Sequence, residues 1–329
     1  MNPPNRKIRW GVLGYARIAR ESLIPAIRRS TNSEFCAIAS RDEGKLSECR
    51  ARFGEVRSYR GYEELLKDPE IEAVYIPLPN ALHREWTIKA AEKGKHVLCE
   101  KPLGLNAGEC RAMMAACESN RVNLMEAFMY RYTHRTRQIL EVLRNGALGE
   151  IKFVGSTFRF LLSNPASIKL RPELGGGSLY DVGCYPINLA GLVADVAAGA
   201  RPGETRPESV AAEFVRVGGV DMIFSAVLKY PSGLIASLNG GFNAHRSVHS
   251  EIVGTQGVLE VPDTFFDNAG VLTMIVGDKR TEIPVAESDR YRSEVEDFAD
   301  AILASRPPMF GLAETVRNAE TLDRLIAAG

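Results

Sequence analysis

The chain has 329 residues, of which 45% are hydrophobic and 25% charged, a composition that excludes a disordered or fibrous protein. That length is sufficient for two domains. The 41 basic and 41 acidic residues give a formal net charge of +0 without a long block of like charge. We therefore expect neither nucleic acid nor a membrane as a partner.

The sequence also carries no targeting or metal-binding pattern. It contains no apolar stretch of about 18 residues, and Met1–Lys7 does not resemble a signal peptide, which together predict a cytoplasmic protein. The six cysteines form no C-x-x-C pair and have no spacing suited to zinc. We expect reduced, mostly buried thiols and no metal site.

Short apolar runs alternate with helical patterns over residues 8–128. The predicted strands are Ile8–Gly14, Phe35–Arg41, Ala73–Pro79, His96–Glu100 and Val122–Phe128. The predicted helices are Ile18–Arg29, Glu43–Phe53, Tyr62–Leu66, Leu82–Lys93 and Ala107–Glu118. This alternation predicts a doubly wound parallel sheet of the Rossmann type with right-handed helical crossovers.

The pattern changes after a helical stretch at Tyr132–Asn145. Predicted strands follow at Ile151–Phe160, Val210–Val217, Asp221–Tyr230, Leu234–Asn243, Val248–Gly254, Gly257–Val261, Val271–Val276 and Thr281–Val285. Predicted helices are Leu179–Ala198, Tyr291–Ala304 and Leu312–Ala328. The fold class is therefore α/β, a Rossmann domain followed by an α+β domain with a large, mostly antiparallel sheet. We place the dinucleotide-binding domain at residues 1–125 and the second domain at 126–329, with C-terminal helices that can pack back on the first.

A glycine-containing turn joins the first predicted strand to the first helix. It reads Gly11-Val12-Leu13-Gly14-Tyr15-Ala16-Arg17-Ile18-Ala19. Glycines at such a turn permit close backbone approach, and the helix N-terminus attracts a pyrophosphate. The spacing departs from G-x-G-x-x-G, so a plain glycine turn is the alternative. The candidate dinucleotide contacts are Gly11, Gly14, Tyr15, Ala16, Arg17 and Ile18.

The end of the second predicted strand bears on the choice of cofactor. An acidic residue there binds the ribose 2′-OH of NAD, whereas a small hydroxyl followed by Arg suits the 2′-phosphate of NADP. The chain has Ser40 and Arg41 at this point, with Lys45 as a second cation. These residues favour NADP. Asp42 could still bind a ribose hydroxyl. The alternative is that this stretch is a solvated charged loop that binds no cofactor.

Two further motifs carry groups able to move protons. Glu100-Lys101-Pro102 ends a buried strand, where Lys101 faces the ligand-binding edge of a parallel sheet unless it simply pairs with Glu100. A run of three glycines, Gly175–Gly177, opens a helix on which Asp181 and Tyr185 share one face. A structural tyrosine with a hydrogen-bonded aspartate is the alternative here.

These motifs, in this order, resemble the Gfo/Idh/MocA family of oxidoreductases, in the branch of glucose-fructose oxidoreductase, dimeric dihydrodiol dehydrogenase and NADP-dependent D-xylose dehydrogenase. Pro77-Leu78-Pro79-Asn80-x-x-His83 is similar to the family's loop beside the nicotinamide ribose. The resemblance implies that Tyr185 is the acid/base, that Lys101 assists it and that Asp181 orients the substrate or the tyrosine. It also implies cofactor contacts from Pro77, Leu78, Asn80, His83, Glu100 and Lys101.

The same resemblance implies NADP(H), rather than NAD(H), and hydride transfer to or from a sugar or related diol. It implies a homodimer or homotetramer formed through an open face of the second sheet. An aldose-aldose oxidoreductase with tightly bound NADP, a nucleotide-sugar 3-ketoreductase and a non-catalytic dinucleotide-sensing regulator are the alternatives. The chain departs from many relatives around Arg131 and at Asn188, which leaves the substrate open, and residues 160–173 are expected to frame its pocket.

Overall fold

The computed structural model describes residues 6–329, so the segment Met1–Asn5, part of the stretch compared with signal peptides, lies outside the described residues. Among the described residues, no helix is both long and apolar enough to cross a membrane. The chain forms two compact units that interleave along the sequence. The first unit holds the described residues up to Gly104 with Gly108–Met129 and Asp289–Leu312, and the second holds Leu105–Ala107, Tyr130–Ser288 and Ala313–Gly329. The domain boundary at residues 125 and 126 stays a prediction.

The first unit contains a six-stranded parallel sheet. Its strands are β1 (Ile8–Leu13), β2 (Ser33–Ser40), β3 (Arg57–Arg60), β4 (Ala73–Ile76), β5 (His96–Glu100) and β6 (Leu124–Ala127), in the order β3-β2-β1-β4-β5-β6. The helices are α1 (Ile24–Arg29), which follows a π-helical turn at Ala19–Leu23, α2 (Glu43–Phe53), α3 (Tyr62–Leu66), α4 (His83–Glu92) and α5 (Ala107–Ser119). The strand order reverses between β1 and β4, and dinucleotides bind at the carboxyl ends of strands beside such a reversal.

The second unit contains an eight-stranded sheet and several helices. The helices α6 (His134–Arg144) and α7 (Cys184–Ala197) lie in this unit together with the last helix of the chain, and α7 follows a π-helical turn at Leu179–Gly183. The strands are β7 (Ile151–Leu161), β8 (Ser209–Val217), β9 (Val220–Lys229), β10 (Ile235–Gly241), β11 (Asn243–Gly254), β12 (Gly257–Pro262), β13 (Gly270–Val276) and β14 (Lys279–Val285). Their order is β14-β13-β12-β11-β7-β10-β9-β8, and only β7 and β10 pair in parallel. The predicted fold class is confirmed.

The last two helices are α8 (Arg290–Leu303) and α9 (Leu312–Ala328). In the first unit, α8 packs on α1, β1 and β2, where the ring centroids of Trp10 and Phe298 lie 5.7 Å apart. The side chain of Asp289 caps α8 by accepting a hydrogen bond from the Arg292 amide at 3.1 Å. Apolar burial and a capped N-terminus therefore explain why this late segment joins the first sheet.

One carboxyl group on α8 is buried without a partner. Glu294 is 1% exposed, and neither of its carboxyl oxygens has a hydrogen-bond partner among residues 6–329. Burial raises the pKa of Glu294 well above its usual value, and the nearby charge of Glu100 adds to the increase. The folded protein therefore holds a proton on Glu294 at pH values where the unfolded chain has released it.

This buried acid makes stability depend on pH. Below the unfolded-state pKa, Glu294 is protonated in both states and contributes no pH dependence. As pH rises between the unfolded and the folded pKa, the free energy of unfolding decreases by up to about 1.4 kcal/mol per pH unit from this group. Glu294→Gln lacks the titrating group, so we expect the variant to gain stability relative to wild type between pH 5 and pH 8. Urea unfolding at both pH values measures this difference, and parallel pH profiles would contradict it.

Candidate active site

Gly11 in β1 and Gly14 in the turn that follows it require glycine for different reasons. A Cβ at Gly11 would lie 2.6 Å from Leu65 Cδ2, so the strand residue must lack a side chain to pack there. Gly14 has φ +106°, a conformation that favours glycine, and a Cβ there would lie 2.9 Å from Leu78 Cδ2. The sequence thus allows the backbone to turn tightly at Gly14 before the helix begins at Arg17.

The other predicted residues of this turn differ in exposure. Tyr15 is buried, and burial is the main reason its pKa rises to about 12. Ala16 and Ile18 are half-buried, whereas Arg17 is exposed and lies 4.0 Å from the Glu21 carboxylate. A dinucleotide contact from Tyr15 would therefore come from its backbone rather than from its phenol.

The end of β2 separates the two cofactor alternatives. The carboxylate of Asp42 accepts hydrogen bonds from the amides of Gly44 at 2.9 Å and Lys45 at 3.3 Å, and so caps α2. The Ser40 hydroxyl is buried beside it and accepts from the Asp42 amide at 3.1 Å. The Asp42 carboxylate is thus engaged at the helix N-terminus through Oδ1, and the roles of Ser40 and Arg41 at a ribose stay a prediction.

Arg41 lies close to the glycine-containing turn. Its guanidinium stands 5.2 Å from the ring centroid of Tyr62, and the Tyr62 hydroxyl would lie 3.8 Å from a Cβ at Gly14. The Gly14 amide also donates to the Ala39 carbonyl at 2.9 Å, which ties the turn to the end of β2. Arg41 and the turn are therefore brought together, while Lys45 is exposed on α2.

The segments after β4 and β5 are tied together by a buried histidine. Nδ1 of His83 lies 2.9 Å from the Pro102 carbonyl oxygen, and Nε2 lies 2.9 Å from the Leu78 carbonyl oxygen. Burial lowers the pKa of this imidazole. The His83 ring is fully buried and joins the two segments through their carbonyls, and its predicted part in a cofactor site stays a prediction.

Lys101 stands directly after β5, at the carboxyl edge of the parallel sheet. The strand end is fixed from both sides, because the Tyr75 hydroxyl donates to the Glu100 carboxylate and the Leu103 amide donates to Glu126 at 2.9 Å. Lys101 is half-buried. Pro77 and Leu78 are buried, and Asn80 is half-buried in a 3₁₀ turn that leads into α4.

In the second unit, the glycine run places the start of the helix that carries Asp181 and Tyr185. Gly177 has φ +120°, and a Cβ there would lie 2.2 Å from a carboxylate oxygen of Asp221 on β9. That carboxylate accepts from the Ser178 hydroxyl at 2.6 Å and from the Leu179 amide at 2.7 Å. Asp221 therefore caps this helix from a neighbouring strand, a role that the local sequence pattern did not reveal.

Asp181 forms an ion pair within the same unit. Its carboxylate contacts the ammonium of Lys169, which lies in the loop expected to frame the pocket. Asp181 is 20% exposed and Lys169 is 32% exposed, so both charged groups remain within reach of a ligand. Lys169, a partner of Asp181, is a residue that the motif analysis had not singled out.

Tyr185 stands one helical turn further along and is buried among aromatic rings. Its ring centroid lies 5.9 Å from Tyr130, 5.3 Å from Phe158 and 5.4 Å from Phe265. These centroid distances are typical of favourable aromatic pairs. The three rings restrict the rotamers of Tyr185. Its hydroxyl therefore has a defined direction, as a proton-transferring group requires.

Arg131 and Asn188, where the chain departs from many relatives, meet in the interior of the second unit. The Asn188 amide oxygen accepts from the Tyr130 hydroxyl at 2.5 Å and from the Arg131 guanidinium at 3.3 Å. Arg131 also pairs with the buried carboxylate of Glu314 on α9. Arg131 is thus a buried residue whose guanidinium pairs within the second unit.

The described residues contain neither a group that could bind a metal ion nor a disulfide. Across residues 6–329, no group of three His, Cys, Asp or Glu side chains could hold a metal ion. The six cysteines are free thiols, and five of them are buried.

The cap provided by Asp221 can be tested by removing its carboxylate. Asp221→Ala leaves the Ser178 hydroxyl and the Leu179 amide without their acceptor, so we expect a loss of about 1–2 kcal/mol in the free energy of unfolding. Urea denaturation measures the loss. Asp278→Ala, in the exposed turn between β13 and β14, is the matched control. Equal stability of the two variants would contradict the capping role.

Comparison with known proteins agrees with this geometry. A model of an oxidoreductase family with an NAD-binding Rossmann fold matches residues 8–128, and a model of the GFO/IDH/MocA C-terminal domain matches residues 136–260. D-xylose 1-dehydrogenase (NADP(+)) 2 from Haloferax volcanii is 38% identical over 322 residues, which cover 96% of this chain and 95% of the relative.

Two solved structures share the whole architecture. A 3-ketoreductase from Actinomadura kijaniata, in complex with NADP and TDP-benzene, has a TM-score of 0.90 at 29% identity, with 98% of each chain covered. An aldose-aldose oxidoreductase from Caulobacter crescentus, complexed with glycerol, has a TM-score of 0.89 at 26% identity, with 98% of this chain and 97% of the other covered. The matched family models and the full-length relatives confirm the resemblance inferred from the motifs: the chain belongs to the GFO/IDH/MocA family of oxidoreductases.

Proposed function

We propose that this protein is an NADP(H)-dependent oxidoreductase that transfers a hydride between the nicotinamide and a carbonyl or secondary alcohol carbon of an aldose-like sugar or related diol. The observation that carries the proposal is the placement of Asp181 and Tyr185 one turn apart at the start of a capped helix, with Tyr185 enclosed by aromatic rings. The full-length relative that is an NADP-dependent D-xylose 1-dehydrogenase supports the same substrate class.

NADP(H) would supply the hydride acceptor or donor, and this chain's residues fit its 2′-phosphorylated form. A pyrophosphate would lie at the start of the first helix, directly after the tight turn at Gly14. Arg41, with the hydroxyl of Ser40 and the ammonium of Lys45, would hold the 2′-phosphate, because the Asp42 carboxylate already caps α2. Pro77, Leu78 and Asn80 would shape the nicotinamide side, as the family resemblance implies.

In this proposal Tyr185 exchanges the proton that accompanies hydride transfer. A tyrosine has an ordinary pKa near 10, so proton exchange near neutral pH needs a cation that stabilises the phenolate. Lys101 has that role in the proposal, and Asp181 orients a substrate hydroxyl. The other task of the protein is alignment, since reacting atoms must approach to about 3–3.5 Å.

Two alternative activities have specific support. The solved 3-ketoreductase relative favours a nucleotide-sugar substrate, and the aldose-aldose oxidoreductase relative favours a cycle between two sugars. NADP that remains bound through purification would support the second alternative. The third alternative is a non-catalytic dinucleotide-sensing regulator, which would bind NADP(H) without turnover of any sugar.

We also propose a cytoplasmic homodimer or homotetramer assembled through the second sheet. Support comes from the outer strands β8 and β9, where Val215, Val217 and Val227 are exposed. An apolar sheet face of this kind is commonly covered by another subunit.

The role of Tyr185 is tested by removing its hydroxyl. Tyr185→Phe keeps the ring that packs on Tyr130 and Phe158, so we expect turnover to decrease by about 10²–10⁴-fold while NADPH affinity is retained. Lys101→Ala should lower turnover similarly. Turnover of D-xylose followed at 340 nm, with NADPH fluorescence for binding, measures both effects.

Tyr230→Phe is the matched control, because Tyr230 is a buried tyrosine of the same unit that lies directly after β9. We expect its turnover to stay near that of wild type. Unchanged turnover in Tyr185→Phe would remove Tyr185 from the proposed chemistry, and an unchanged rate in Lys101→Ala would remove Lys101.

The choice of NADP over NAD is tested at Arg41. Arg41→Ala removes a charge-assisted contact to the 2′-phosphate, so we expect the Kd for NADPH to rise by about 10–100-fold and the Kd for NADH to change little. Fluorescence titration with both cofactors measures the difference. Arg50→Ala is the control, since Arg50 is a partly exposed arginine on α2 that pairs with Glu43. An equal loss for NADPH and NADH would contradict phosphate recognition.

A further inference from the structure

The proposed function leaves one charged residue beside Asp181 without a role. The ammonium of Lys169 contacts the carboxylate of Asp181, one helical turn before Tyr185. Both side chains are partly exposed, so a ligand could reach both charges. An ion pair of Arg171 with Glu173 lies on the same loop but is more than half exposed on both sides, as solvated surface pairs are.

The backbone of Lys169 is held in place by the glycine run. The Gly177 amide donates to the Lys169 carbonyl at 2.9 Å, and the Gly176 amide donates to the Arg171 carbonyl at 3.0 Å. A Cβ at Gly176 would lie 2.6 Å from the Lys169 carbonyl oxygen, so only glycine permits this approach. The loop and the helix that carries Asp181 are therefore joined through their main chains, and Lys169 is directed at Asp181 by a fixed segment.

The chemistry of the pair matches two neighbouring hydroxyl groups. An ionised carboxylate only accepts hydrogen bonds, and an ammonium only donates them. A vicinal diol offers a hydroxyl that donates to Asp181 and an adjacent oxygen that accepts from Lys169. The pair carries no net charge, so it provides no excess positive charge for a phosphate or carboxylate at this position.

We propose that Lys169 is a specificity-determining residue: together with Asp181 it binds two adjacent hydroxyls of an uncharged substrate and disfavours substrates with an anionic group or a missing hydroxyl at that position. This inference rests on the proposed function, because it names the part of the sugar or diol that the same site recognises. Selectivity then arises because a deoxy substrate leaves a donor or an acceptor of the pair without its partner.

The test compares matched substrates in wild type and in Lys169→Met, which keeps an unbranched side chain of similar length without the charge. D-xylose is compared with 2-, 3- and 4-deoxy-D-xylose, and glucose with glucose 6-phosphate, each with NADP. We expect wild type to prefer D-xylose to at least one deoxy sugar by about tenfold or more in kcat/KM. In Lys169→Met that ratio should decrease by about tenfold, because kcat/KM for D-xylose decreases while that for the deoxy sugar stays within about twofold.

Lys152→Met is the control, since Lys152 pairs with Glu150 at the start of β7, away from the glycine run. This variant should keep the wild-type ratios. An equal decrease on every substrate in Lys169→Met, or ratios identical to wild type, would overturn the assignment. So would a wild-type enzyme that prefers glucose 6-phosphate to glucose.

Failure of the proposed function is a separate result. If wild type turns over none of these sugars, the proposed activity fails, and the dissociation constants of the same sugars in the presence of NADPH then decide the role of Lys169. Tighter binding of D-xylose than of a deoxy sugar, lost in Lys169→Met, would support the diol subsite. Equal or undetectable binding would overturn it.

Discussion

The second unit depends on the close approach of backbone and carboxylate at the glycine run. Gly176 lies against the Lys169 carbonyl and Gly177 against the Asp221 carboxylate, at distances where any Cβ would overlap. One glycine thus joins the helix start to the preceding loop, and the next joins it to β9. Asp181 and Tyr185 take their positions from these two contacts, because the helix can begin only where the run allows it.

Behind this helix, two buried ion pairs hold α9: one joins it to the turn after β6, and the other joins it to α7. Arg131 pairs with Glu314, and Arg317 pairs with Asp195 while donating to the Gly191 carbonyl at 3.1 Å. Buried pairs of this kind contribute little net stability, since desolvation offsets their attraction. Their effect is geometric: each charge needs its partner, so α7 and α9 can pack in few other arrangements. The arginine after β6 is therefore part of the packing between α9 and the segments it contacts.

The sequence analysis predicted the two sheets and the positions of Lys101, Asp181 and Tyr185 because these depend on local signals: period-two burial, helix periodicity and glycine spacing. It missed β3, since Arg57–Arg60 has no apolar run and pairs only with β2 at the sheet edge. It also missed Asp221 and Lys169 as parts of the site. Asp221 is 44 positions beyond Gly177 and stands in a strand, so only the folded chain brings them together.

The residue at the start of α2 bears on the choice between the two cofactors, because it also caps the helix. From sequence, Asp42 could bind a ribose hydroxyl, and the strand end was compatible with both cofactors. In the fold, the same carboxylate satisfies two amides at the start of α2, which have no other acceptor within a helix. Releasing Asp42 to bind ribose would leave those amides without it and weaken the helix start. The cap therefore commits one oxygen of Asp42 to helix formation before any ligand is considered, which supports the proposal that Ser40 and Arg41 hold the ribose phosphate.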